Sequence, residues 1–134
     1  MPRALSLVLL VLALGAAGAL AAYGAQRQEG ADASFHVLAL GPEGPLLDEA
    51  VEVEDATVLR ALEAAAARAG LALRLEEYPG MGTYVRSIGQ WTAQGATGWV
   101  YEVERDGAWR SGDRSAEFYA LEKGDAMRWT WTSG

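Results

Sequence analysis

DATVLRALEAAAARAG, residues Asp55 to Gly70, is the one segment of this 134-residue chain with sustained helical periodicity. Val58, Leu62, Ala65, Ala66 and Ala69 follow the i, i+4, i+7, i+8, i+11 spacing that puts side chains on one helix face. Asp55, or Thr57 instead, can accept a hydrogen bond from the free N–H groups of the first turn. Arg68 sits in the last turn, where a cation meets the negative end of the helix dipole. Gly70 can take the left-handed conformation that closes a helix. The pattern predicts a helix from Asp55 to Ala69.

The flanking segments alternate with a period of two instead. Before the helix, Phe35–Leu40 suits a strand, the turn formers Gly41 to Pro45 end it, and Leu46–Val53 returns as its hairpin partner. After the helix, Leu71, Leu73 and Leu75 alternate with Ala72, Arg74 and Glu76, predicting a strand with one buried face. Pro79-Gly80-Met81-Gly82 breaks it, and Tyr84–Ile88 is a further extended run. Gly89 to Gly98 is predicted as a loop around Trp91. Trp99, Tyr101 and Val103 alternate again, and Asp106-Gly107 is a strong hairpin signal ahead of Trp109. Phe118–Leu121 is a short strand in this reading. Lys123-Gly124-Asp125 turns the chain into the alternating Met127, Trp129 and Trp131. One helix against a mostly antiparallel sheet gives an α+β class. A helix after an opening hairpin is the order of a β-grasp-like fold.

Composition divides the chain in two. Residues 1–25 hold 19 of the 68 hydrophobic residues, and the remaining 109 residues hold 49. The run Ala4 to Ala25 has no charge. As a helix it would span ~30 Å, enough for a bilayer core. Residues 1–25 therefore read either as a cleaved secretory signal, with Ala19-Leu20-Ala21 as the cleavage site, or as a retained membrane anchor. Both readings place the domain outside the cytoplasmic membrane. Residues 26–34 are a polar tether, and 35–134 form one domain.

After residue 25 there are 10 basic and 18 acidic side chains, a formal charge of −8. No basic surface is available for phosphates, which argues against nucleic acid as a partner. The chain has no Cys and a single His, His36, so a thiolate or multi-histidine metal site is excluded. No metal ligands are assigned. His36 would have to serve as the base of any serine nucleophile, yet it lies in an alternating strand. Glu76/Glu77 and Glu104/Asp106 lie at a strand end and in a hairpin, where solvated charge is expected. No catalytic residues are assigned, and the domain is read as non-catalytic.

Four segments in order carry a family resemblance: Thr57–Leu62, Gly82-Thr83-Tyr84-Val85-Arg86-Ser87-Ile88-Gly89, Gly98–Val103 and Tyr119–Trp129. Together they resemble the C-terminal β domain of transcobalamin and intrinsic factor, the DUF4430 family of many bacterial surface proteins. The resemblance covers residues 35–131. The turn Val103 to Gly107 and the connection Trp109–Glu117 are longer than the family's usual ones. In the cobalamin carriers a helical domain forms the other wall of the site, and this chain has no such domain. The resemblance implies cobalamin, or another corrinoid, as ligand. It also allows a membrane transporter component as partner.

The faces of Trp99, Tyr101 and Val103 and of Met127, Trp129 and Trp131 are read as core. Tyr84, Trp91 and Trp109 lie in or beside loops and could form an aromatic rim for a flat apolar ligand. The ligand-binding residues are expected to be Tyr84, Ser87, Trp91, Thr97, Trp99 and Tyr101, the aromatics by contact and Ser87 and Thr97 by hydrogen bonds. The other reading is a cell-surface protein-interaction module without a small ligand.

Overall fold

The computed structural model describes residues 34–133. The apolar segment 1–25 and the tether lie outside the described residues, except Ser34, which begins the first strand. The elements are β1 (Ser34–Gly41), β2 (Gly44–Glu52), α1 (Val58–Ala69), β3 (Leu73–Tyr78), β4 (Gly82–Ile88), β5 (Trp91–Thr92), β6 (Thr97–Arg105), β7 (Ala108–Ser111) and β8 (Ala126–Ser133). The domain is mainly sheet with one helix, a mixed α+β fold.

Two sheets form. The larger has the order β2-β1-β8-β6-β7, and the smaller has β3-β4-β5. All pairings are antiparallel except β1 with β8, which run parallel at the centre of the larger sheet. The opening hairpin is as expected, with a register shift at Ala39/Leu40. Asp106 and Gly107, both at positive φ, make the tight turn from β6 to β7.

Alternation sets the core. Phe35, Val37 and Ala39 of β1 are buried, and so are Leu47 and Val51 of β2, Val103 of β6, and Met127 and Trp129 of β8. Helix α1 packs on β1 and β2 through Val58, Leu59, Ala61, Leu62, Ala65 and Ala66. Each large apolar side chain removed from water contributes ~1.5–3 kcal/mol. Leu59 and Ala61 widen the expected stripe, while Ala69 is exposed, because the helix is already ending there.

The helix starts later than the sequence suggested. Thr57, not Asp55, is the N-cap, with its Oγ1 accepting from the Arg60 N–H at 3.2 Å. Asp55 has φ 49 and belongs to the turn before it. Gly70 closes the helix at φ 70, with Gly70 N–H donating to Ala67 O and Leu71 N–H to Ala66 O.

Three further expectations are corrected. Phe118–Leu121 is not a strand. Its carbonyls and those just before it cap the helix instead, with Val58 N–H donating to Tyr119 O and Leu59 N–H to Ala116 O. Those are orphan donors that a helix start must satisfy. The alternating leucines do not give a buried face either: Leu75 is 37% exposed, because β3 is an edge strand that α1 does not cover. Gly89–Gly98 is not one loop, since Trp91–Thr92 pairs with Ser87 and Ile88, and Gln94 bridges to Thr97.

One buried charge ties the turn before β8 to the end of β6. Asp125, buried, receives Arg105 Nη2 at 2.6 Å and the Glu122 N–H at 2.7 Å. Breaking such a pair from one side costs ~3–5 kcal/mol.

Candidate functional site

The free edges of β4 and β6 and the segment Ser111–Ala116 bound a cleft of about 380 Å³. Val85 and the rings of Tyr84, Trp99, Tyr101 and Trp129 make its apolar wall. Thr83, Ser111, Arg114 and Ser115 add polar groups. A second hollow of about 250 Å³ adjoins it, sharing Tyr84, Val85 and Trp99 and bordered by Ala93, Gln94, Gly95 and Gly98.

Aromatic contacts hold the walls. Tyr101 packs against Trp129 at 5.3 Å between ring centroids and edge-on to Tyr119 at 5.8 Å. Trp99 meets Trp131 at 5.3 Å, and its Nε1–H donates to Trp91 O at 3.0 Å. Tyr84 stands edge-on to Tyr78 at 5.4 Å. The Tyr101 hydroxyl donates to Arg114 O, and burial, reinforced by Tyr119 and Asp113, pushes its pKa up to about 12.

The segment Ser111–Glu117 is fixed to β4 by side chains. Ser115 Oγ donates to Thr83 O at 2.8 Å, and the Thr83 N–H donates to Glu117 Oε1 at 2.8 Å. Gly112 lies flat on the Tyr101 ring, where no Cβ fits. Arg114 turns to Asp113, holding that carboxyl below its ordinary range, and lies 5.9 Å from the Tyr119 ring centre.

Of the expected ligand-binding residues, Tyr84, Trp99 and Tyr101 come together on the cleft. Ser87 does not, because it is only 2% exposed and lines neither hollow. Thr97 donates its hydroxyl to Gln94 O at 2.7 Å and closes a turn instead. Trp91 contacts Trp131 at 6.1 Å and supports Trp99 without lining either hollow. Trp109 lies apart, under the Arg128 guanidinium at 4.2 Å. Sequence reasoning missed Gly112, Arg114 and Ser115 as cleft residues. Their one signal was the unusual length of the Trp109–Glu117 connection. Trp129, assigned to the core, is both core and cleft floor.

His36 is exposed and contacts Asp48, with no second acid or nucleophile beside it among its hydrogen bonds. Among the described residues no three His, Cys, Asp or Glu side chains are grouped to hold a metal ion. Glu52, Glu54 and Glu63 border an open hollow that also contains Arg60.

No protein-family model matches the chain, and no curated protein matches it. Among solved structures the chain is similar to one from Ruminococcus gnavus described as a "putative metal binding protein". The identity is 18% and the TM-score 0.54, over 76% of this chain and 98% of that one. At this identity the likeness concerns the fold.

Proposed function

We propose that the domain is a non-catalytic ligand-binding module working outside the cytoplasmic membrane. We infer a β-grasp-like, transcobalamin-like (DUF4430) architecture, with a corrinoid as the first ligand to test. The cleft walled by Tyr84, Trp99 and Tyr101 carries this reading. Ligand sites are concave, mostly apolar, and supplied with a few polar groups. The β-grasp reading is supported by the strand order β2-β1-β8-β6-β7, with the first and last strands parallel at the centre and one helix packed on β1 and β2. At about 380 Å³ the cleft is at the low end for ligand sites, so it takes one ring or a peripheral group of a larger ligand. The N-terminal segment, as signal or anchor, provides the location, and a membrane transporter component fits as partner.

Calorimetric titration of the full chain with cyanocobalamin, alongside Trp fluorescence, tests the corrinoid. No heat and no spectral change at high micromolar ligand would remove it. A second reading, protein interaction, is favoured by exposed Tyr78, Met81 and Phe118 near the cleft, with Phe118 against Gly82. It expects a protein partner and indifference to small ligands.

A further inference from the structure

The main chain at the cleft carries more information than its side chains. In β6, Thr97 exchanges both backbone hydrogen bonds with Gln94, and Tyr101 O accepts from the Gly112 N–H. Both residues therefore direct their backbone groups away from β8, as non-hydrogen-bonded positions of an antiparallel pair do. Trp99 lies midway between them, opposite Trp131 in the same register. Its N–H and C=O must point the same way, off the free edge of β6 where the two hollows meet. Neither is used by the pairing of β6 with β8 or β7, nor by a turn or loop bond among the described residues. Across the gap, the Thr83 N–H and C=O are taken by Glu117 and Ser115. The same parity brings the Val85 N–H to the cleft side of β4, away from the pairing with β3.

A second observation is independent of the first. The indole Nε1–H of Trp129, in the cleft floor, is a buried side-chain donor with no hydrogen-bond partner, and the residue is 3% exposed. Buried indole N–H groups ordinarily find one.

We propose that the cleft takes a neutral planar ring bearing a primary carboxamide or a lactam. The inference rests on the ligand-binding reading of the same cleft and specifies its ligand class. The ring lies among Tyr84, Tyr101 and Trp129. The amide oxygen accepts from the Trp99 N–H, and the amide N–H donates to the Trp99 C=O. This is the pairing that a neighbouring strand would have made. A ketone satisfies only the donor and leaves the Trp99 carbonyl unpaired. A carboxylate sets its charge against that carbonyl, in a domain already strongly negative, while Arg114 is turned to Asp113. Hydrogen-bonding sites reject analogues that leave their own groups unpaired.

Three probes of nearly equal size separate these cases: 2-naphthamide, 2-acetonaphthone and 2-naphthoate. Each is titrated into the full chain by calorimetry, with the Trp99 backbone amide followed by ¹⁵N NMR. The expected result is that the amide binds about tenfold more tightly than the ketone. The carboxylate should be weakest, and the Trp99 amide resonance should move on binding of the amide. Equal affinity for ketone and amide, tighter binding of the carboxylate, or binding without a response at Trp99 overturns the inference. Cyanocobalamin, run in parallel, separates the two levels. If it binds and the naphthyl series shows no amide preference, only the amide assignment falls. If neither it nor any naphthyl probe binds, the ligand-binding reading falls with it.

Discussion

Gly112 fixes the shape of the cleft at the level of single atoms. An added Cβ would lie 2.0 Å from Tyr101 Cζ and 2.3 Å from its hydroxyl oxygen. The Tyr101 ring cannot swing aside freely, because Trp129 and Tyr119 flank it and its hydroxyl is tied to Arg114 O. Gly112→Ala should therefore destabilise the domain by ~1–3 kcal/mol, read as a lower urea midpoint. Tyr101 makes a second prediction. Its pKa is raised to about 12, mainly by burial, against about 10 in an unfolded chain. The folded state thus holds this proton more tightly. Its contribution is fully present below pH 10 and is lost as pH rises from about 10 to 12. Tyr101→Phe should flatten the fall in stability across that window, measured by urea unfolding at a series of pH values. At this scale the sequence was only partly legible. Tyr84, Trp99 and Tyr101 could be found because aromatics beside glycine-rich turns stand out. Ser87 and Thr97 carry hydroxyls suited to a ligand, and nothing local tells that one is enclosed and the other closes a turn.

Helix α1 was readable because its apolar spacing, its Thr57 cap and its Gly70 stop all agree. Thr57→Ala should lower stability by ~1 kcal/mol in urea unfolding. Asp55→Gly, which suits the φ of 49 held there, should have less effect, since Asp55 does not cap. Strand β3 was legible as a strand but not in its environment. Alternation of Leu71, Leu73 and Leu75 looks like a buried face, and whether anything covers that face is a tertiary fact. Most of β3 is exposed, and among the described residues it pairs only with β4. Elements with few buried side chains open at lower free energy than the global barrier. Native-state hydrogen exchange should show the β3 amides Arg74 to Tyr78 exchanging well before Val37, Val103 and Met127. Phe118–Leu121 departs from a strand for a related reason. A short run with aromatics has strand propensity, but the unsatisfied N–H groups at the start of α1 claim its carbonyls.

Across the whole molecule, the α+β class was legible from the order of elements, and the split into two sheets was not. The split leaves the edges of β4 and β6 facing each other across the cleft, and no residue pattern announces an unpaired edge. The parallel contact of β1 with β8 is the longest-range pairing in the domain, joining His36 to Ala126 and Leu40 to Thr130. Closing so large a loop costs chain entropy before any contact rewards it. Stopped-flow refolding, followed by Trp fluorescence, should accordingly relax in milliseconds to seconds rather than microseconds. The same topology bears on biogenesis. As the chain is synthesised, the centre of its larger sheet stays vacant until β8 has emerged, so no stable domain can form early. Until that strand arrives, the nascent chain stays open to proteases and chaperones.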